Sequence, residues 1–292
     1  MIKVNGKVLN NTRFPNGESK IDVAPIELNS EEVCIEYFHT DDSELLQLYF
    51  VLSYIKDKLK DIDPEQKLIL SYLPYSRMDR YQSMNCFTLK HIVHLLSDAL
   101  GLRPTVYIME PHSDVSIDLF ENHGVSVVPV YLTKDLLELI VKEYSQNVSV
   151  VCFPDKGARK RYSTILDTDL DVVHCEKIRD FQTGAIVSME LCKDSIDLNG
   201  REVLIVDDLC SKGGTFMGAA KLLKDAGASK VYLAVCHIED TILDGDAWKE
   251  DSPIDKIFAT NSMNPVRIEL SNASKIGIIQ IDTLKGYREI CG

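Results

Sequence analysis

Short runs of apolar, β-branched residues alternate along this chain with stretches whose apolar positions recur every three or four residues. Such alternation implies a largely parallel α/β sheet, because two parallel strands need a long crossover and a helix is the usual one. From Asp42 the sequence puts Leu45, Leu48, Leu52, Ile55 and Leu59 on one helical face behind an Asp/Ser cap, which predicts a helix laid on a sheet. Strands are predicted over 67–73, 105–109, 148–153, 203–206 and 230–236, and helices over about 88–100, 134–144 and 216–226. The first forty residues read as short strands broken by turns, the clearest being Phe14-Pro15-Asn16-Gly17-Glu18. The stretch from His174 to Asn199 reads as irregular or hairpin-like. There is no low-complexity segment and no short-period repeat, and two similar α/β halves, 1–130 and 131–292, fit the pattern.

Length and charge narrow the function. A chain of 292 residues that is 45% hydrophobic can bury two ordinary domain cores. With 32 basic and 45 acidic residues its formal net charge is −13, so its surface repels nucleic acid and anionic membrane, and an anionic substrate needs local cations or a metal. The eight cysteines form no CxxC pair and sit mostly in apolar runs, the habit of reduced thiols in a cytoplasmic protein. No cationic-then-apolar leader opens the chain and no 18-residue apolar run occurs, so secretion and membrane spanning are not expected.

Chemistry concentrates where predicted strands end. After 203–206 come the adjacent carboxylates Asp207 and Asp208, then a loop with Ser211, Gly213, Gly214 and Thr215, then the helical pattern. Glycines let backbone N–H groups approach an anion, a helix N-terminus adds partial positive charge, and strand-end carboxylates hold ribose hydroxyls or Mg²⁺. A strand, turn and capped helix with nothing bound is the plain alternative, against which the Asp pair weighs. The strand at 67–73 runs into Pro74-Tyr75-Ser76-Arg77-Met78-Asp79-Arg80, and that at 105–109 into Glu110-Pro111-His112. The strand at 148–153 is followed by Asp155 and by Lys156, Arg159, Lys160 and Arg161, either a solvated helix start or an anion site.

Taken together, these segments resemble the ribose-phosphate pyrophosphokinases, the phosphoribosyl pyrophosphate synthetases, along nearly the whole chain. The family's F-S-D-G-E loop resembles Phe14-Pro15-Asn16-Gly17-Glu18, and its P-Y-A-R-Q-D-R segment resembles Pro74 to Arg80. Both belong to the family's ATP site, the first supplied by a neighbouring subunit. The D-L-H metal motif is similar to Glu110-Pro111-His112, and S-P-D-x-G-G to Phe153-Pro154-Asp155-Lys156-Gly157-Ala158. The K-x-R of the mobile catalytic flap falls on Lys177-Ile178-Arg179, and D-D-x-x-D-T-x-G-T on Asp207 to Thr215.

The resemblance implies two tandem phosphoribosyltransferase-like α/β domains, each a mostly parallel sheet flanked by helices, with the ATP-site loops in 1–130 and the cradle and flap in 131–292. It implies Lys177 and Arg179 as catalytic residues, and Phe14, Asn16, Gly17, Glu18, Arg77, Met78, Asp79 and His112 as ATP contacts. Asp207, Asp208, Ser211, Lys212, Gly213, Gly214 and Thr215 become the ribose-phosphate contacts, and His112 and Asp155 the Mg²⁺-linked residues. It also implies a homo-oligomer, a dimer or a hexamer. Asn16 stands where the family has Asp, Met78 where it has Gln, and Ser211-Lys212 where it has Asp-Thr.

The implied reaction moves the β,γ-diphosphoryl group of ATP to the anomeric hydroxyl of a ribose phosphate and releases AMP. A type I phosphoribosyltransferase, or a silent regulatory homologue, remains an alternative; the first needs no second half with an ATP-type loop, and retention of Lys177, Arg179, His112 and Asp155 argues against the second. Lys212 is too long to sit under an enclosed monophosphate, yet it reaches a second phosphate in an extended 5-diphosphate. Two acceptors therefore stay open, ribose 5-phosphate and ADP-ribose.

Overall fold

In the computed structural model the described residues are all but 24, 25, 27, 29–31, 63, 82, 83, 102, 167, 168, 180–185, 194, 272 and 292; at 177–179, 186 and 187 the backbone alone is described. The chain divides into two units, Met1–Val130 and Tyr131–Gly292. The first opens with β1 (Ile2–Val4), β2 (Lys7–Val8), β3 (Asn11–Arg13), β4 (Ser19–Ile21) and β5 (Glu32–Tyr37). It continues through α1 (Asp42–Leu59), β6 (Glu65–Leu70), α2 (Thr88–Ala99), β7 (Pro104–Met109), α3 (Val115–Glu121) and β8 (Ser126–Val130). Its six-stranded sheet has the order β2-β1-β5-β6-β7-β8, while β3 and β4 form a separate ribbon. From β5 to β8 the strands are parallel, as crossover helices require.

Helix α1 shows why the apolar period was readable. Asp41 caps it by accepting the Glu44 N–H at 3.0 Å, acidic residues lie in its first turn and lysines in its last, and Leu45, Leu48, Leu52, Ile55 and Leu59 are all buried. They meet Val33, Ile35, Leu68, Leu70, Val106 and Ile108 of the sheet in one core.

The second unit contains α4 (Leu132–Leu139), β9 (Val148–Phe153), α5 (Lys156–Tyr162), β10 (Asp171–Arg179), β11 (Ile186–Cys192) and β12 (Glu202–Cys210). After these come α6 (Gly214–Asp225), β13 (Lys230–Ile238), β14 (Lys256–Thr260), α7 (Val266–Glu269), β15 (Ile276–Ile279) and α8 (Lys285–Cys291). The seven strands order as β11-β10-β9-β12-β13-β14-β15, parallel except for the β10–β11 hairpin. Ligand-bearing loops of such a sheet follow the carboxyl ends of its strands. Among the described residues no helix is long and apolar enough to cross a membrane.

Three expectations shift. β12 does not stop at Val206: Asp207, Leu209 and Cys210 still pair with Val235, His237 and Ile238 of β13, so both aspartates lie inside the strand. The apolar run is interrupted by the two aspartates, while the backbone ladder continues through the buried Leu209 and Cys210. The helix expected over 134–144 is α4 followed by a wider turn, Ile140–Tyr144, closed by Ser145 N–H on the Ile140 carbonyl at 2.9 Å. The stretch after His174 resolves into the antiparallel β10–β11 pair.

At the opposite end of this sheet, Asp255 gathers α6 and β13. It accepts from Lys224 at 2.7 Å, from Lys230 at 3.2 Å and from the Val231 N–H at 2.8 Å. Partial burial pushes its carboxyl up, but these donors outweigh burial and hold it below the usual range. A depressed carboxyl contributes stability that is present above its unfolded pKa, about 3.9, and is lost as pH falls through its lower folded value. Asp255→Asn is therefore expected to lower Tm at pH 7, with the gap to wild type closing below about pH 4; a gap constant from pH 7 to pH 3 would refute this.

Candidate active site

The cradle is built at the end of β12. Asp208 is buried, its N–H reaches Asp207 Oδ1 at 2.9 Å, and Arg161 Nη1 of α5 lies 2.7 Å from Asp208 Oδ1 and 3.6 Å from Asp207 Oδ1. Burial and the neighbouring Asp208 push the Asp207 carboxyl well up, and Arg161 opposes them. This is a concentrated negative site with one guanidinium set into it.

The loop beyond is backed by the segment after β13. Gly213 takes φ +83° as it opens α6, and a Cβ there would lie 2.5 Å from the Ala247 Cβ; a Cβ on Gly245 would lie 2.2 Å from the Lys212 carbonyl oxygen. Both glycines are needed for that close approach. Ser211 Oγ lies 3.0 Å from Thr241 Oγ1, which donates to Glu239 Oε2 at 2.8 Å. Gly214 and Thr215 form the first turn of α6, where backbone N–H groups lack helical acceptors and favour an anion. Lys212 is exposed, and its ammonium makes no ion pair or hydrogen bond among the described residues.

Asp155 opens α5, its Oδ1 accepting the Ala158 N–H at 3.0 Å. In the basic run that follows, Lys156, Arg159 and Lys160 are exposed, yet three of the four cations have protein partners. Lys156 lies 3.2 Å from Glu176, Arg159 Nη1 lies 3.0 Å from His174 Nε2, and Arg161 goes to the aspartates. His174, Glu176 and Cys192 bring ligand atoms within 4.8 Å of one another, but the two cations already occupy that cluster. Lys177 and Arg179 lie in β10, opposite Met189 and Ile186 of β11, with a register irregularity between Ile178 and Arg179. Their side chains and residues 180–185 lie outside the described residues.

In the first unit, Phe14 to Glu18 is the tip of the β3–β4 ribbon. Phe14 and Glu18 close it through a 2.8 Å backbone bond, Gly17 takes φ +90°, and the Phe14 ring is exposed. Asn16 Oδ1 accepts the Glu18 N–H at 3.2 Å. The two strand-end segments meet at Asp79, which is buried, receives Arg80 Nε at 2.7 Å and Nη2 at 2.9 Å, and accepts Ser113 Oγ at 2.8 Å beside His112. Burial raises the Asp79 carboxyl, yet Arg80 and Ser113 hold it below its ordinary value. Arg77 is exposed, and Met78 and His112 are half-buried. Tyr75 and Glu110 take φ of +62° and +48°, costly for side chains of that size. Sequence reasoning missed Arg161 as an internal partner, along with Ser113, Thr241 and Glu239; only Arg161 stood in a conspicuous run.

Residues 190–288 match the family model described as the phosphoribosyl synthetase-associated domain. Ribose-phosphate pyrophosphokinase of Saccharolobus solfataricus is 30% identical over 275 residues, covering 90% of this chain and 86% of that protein. The chain belongs to the ribose-phosphate pyrophosphokinase family. The family enzyme of Thermococcus kodakarensis is 27% identical over 86% of this chain and 84% of its own. The fold agrees with that of phosphoribosylpyrophosphate synthetase from Mycobacterium smegmatis, TM-score 0.72 at 20% identity, covering 94% of this chain and 87% of that one. The chain is thus a ribose-phosphate diphosphokinase-like transferase with the family's α/β architecture.

Proposed function

We propose that the protein transfers the β,γ-diphosphoryl group of ATP to the anomeric hydroxyl of a 5-phosphorylated ribose, releasing AMP. The observation that carries this reading is the Asp207–Asp208 pair at the end of β12, set directly before the amide-rich start of α6. The loop amides and the Ser211 and Thr215 hydroxyls surround the 5-phosphate, and the two carboxylates accept hydrogen bonds from the ribose hydroxyls and aim C1. The anomeric oxygen then bonds to the β-phosphorus and gives up its proton to solvent, the bond from that phosphorus to the α,β-bridging oxygen breaks, and AMP leaves carrying that oxygen. Lys177 and Arg179 neutralise charge on the non-bridging oxygens and exclude water.

Nucleotide binding is assigned to Phe14, Asn16, Gly17, Glu18, Arg77, Met78, Asp79 and His112. Asp79 acts mainly by fixing the two strand-end segments, since Arg80 and Ser113 take its oxygens. Mg²⁺ is the cofactor that fits, since this metal takes carboxylate and phosphate oxygens; when bound it neutralises the polyphosphate. Asp155 offers such a carboxylate, and His112 is assigned to the metal-nucleotide side. The exposed Phe14–Glu18 tip suits completion of a neighbouring subunit's ATP site, hence a homo-oligomer, dimer or hexamer. Buried thiols such as Cys152, Cys210 and Cys236 suit the cytoplasm.

Lys212 favours a second acceptor beside ribose 5-phosphate. Its ammonium, without an ion pair or hydrogen bond among the described residues, stands where the family has threonine and suits the second phosphate of ADP-ribose, whose other ribose keeps a free anomeric hydroxyl. An exposed contact of this kind is worth about 1 kcal/mol, roughly fivefold. Expected is a Lys212→Thr enzyme whose kcat/KM ratio, ADP-ribose over ribose 5-phosphate, falls by about that factor. An unchanged ratio, or no diphosphorylated ADP-ribose from wild type, would leave ribose 5-phosphate as the acceptor.

A further inference from the structure

We propose that Arg161 is a positioning residue for the acceptor ribose, gathering Asp207 and Asp208 into the one arrangement that receives its hydroxyls. The inference rests on the assignment of those carboxylates to the ribose. Adjacent residues in a strand point to opposite faces, so neighbouring side chains at 207 and 208 converge only if something draws them together. One group does so here: the single Nη1 of Arg161 faces Oδ1 of both carboxylates, 2.7 Å from Asp208 and 3.6 Å from Asp207, while the Asp208 backbone N–H donates to Asp207 Oδ1 at 2.9 Å and so orients Asp207 alone.

The three groups are shut away together, with side-chain exposure of 13% for Arg161, 15% for Asp207 and 6% for Asp208. Two carboxylates in such a place repel each other strongly, and a cation there counts for far more than one in solvent. The topology supplies it from next door. β9 pairs with β12 as far as Cys152 against Ile205, so α5, which follows β9 directly, stands beside the residues just beyond Ile205. Of the three other cations of α5, Lys156 meets Glu176, Arg159 meets His174 and Lys160 is exposed. Arg161 also lies over the Tyr162 ring, 5.6 Å from its centroid, and Tyr162 is fully buried in the unit, which fixes the origin of the side chain. A guanidinium held in this way faces the carboxylates and does no bond-making chemistry.

Without it the carboxylates separate or take up a proton, and the ribose loses charged acceptors that the ATP side does not use. The effect therefore belongs on acceptor binding. Steady-state kinetics at saturating ATP and Mg²⁺ should show Arg161→Gln raising the KM for ribose 5-phosphate between about ten- and a hundredfold, the range for hydrogen bonds to charged groups. Arg161→Lys, which keeps the charge but not the fork, should fall between Gln and wild type, with the KM for ATP unchanged in both. Merely structural damage would lower the active fraction and hence kcat without this KM split, and if the Gln variant does not fold, the Lys variant carries the test. An unchanged acceptor KM, a parallel rise in the ATP KM, or a Lys variant no better than a folded Gln variant overturns the inference while wild-type activity stands. A wild type that makes no AMP with any ribose phosphate overturns the functional reading and this inference together.

Discussion

Lys177→Ala and Arg179→Ala should each lower kcat by about a thousandfold, the lower end of what a cation on a transferring phosphoryl group supplies. The KM for ATP should move by no more than about threefold. The reason is where charge develops. On the proposed assignment the nucleotide's ground-state charge is met by the metal and by its binding residues, whereas in the transition state new charge appears on oxygens at the reacting phosphorus. A cation that closes on those oxygens in a site without water acts mainly on the chemical step. Both residues belong to β10, which pairs with the edge strand β11 of its sheet. Single-turnover rates with premixed ATP and Mg²⁺ distinguish a slow chemical step from weak binding. A loss confined to KM would remove both residues from catalysis.

Chelation is the second large effect. ATP would bring several negative charges to a chain whose formal net charge is −13, and the proposed acceptor cradle adds the carboxyl groups of Asp207 and Asp208. Arg161 offsets only part of this. With EDTA in excess, AMP formation should fall below detection and return in full on adding Mg²⁺ beyond the chelator. His112→Ala should raise the Mg²⁺ concentration needed for half-maximal rate while leaving Tm unchanged, because His112 is half-buried at a strand end and outside the unit's apolar core. Turnover in EDTA would contradict the metal requirement, and an unchanged Mg²⁺ titration would remove His112 from that role.

Much of the scaffold was legible because burial follows period. The α1 face, the β9 boundaries and the strand-helix alternation come directly from apolar spacing, and a largely parallel α/β sheet follows from them, whereas the family's tandem-domain architecture came from the motif resemblance. The site was legible as segments, through the order of its motifs. What spacing could not show is which way a charged residue turns. Lys156, Arg159 and Arg161 look equivalent in sequence, yet the helix sends them to Glu176, His174 and the aspartates. Nor could it show that Thr241 and Glu239 back the cradle through Ser211, since that contact joins the ends of two neighbouring strands. The strand limits at Asp207 and Asp208 were missed for a related reason: hydrogen bonding with β13 continues after the side chains have become polar.

The most direct measurement follows the β-phosphorus. ATP labelled at that atom, incubated with Mg²⁺ and each of ribose 5-phosphate and ADP-ribose, should pass its label to the acceptor, with one AMP formed per diphosphorylated product and no ADP. Label remaining in ADP, or released as free pyrophosphate with the acceptor unchanged, would contradict diphosphoryl transfer by this protein.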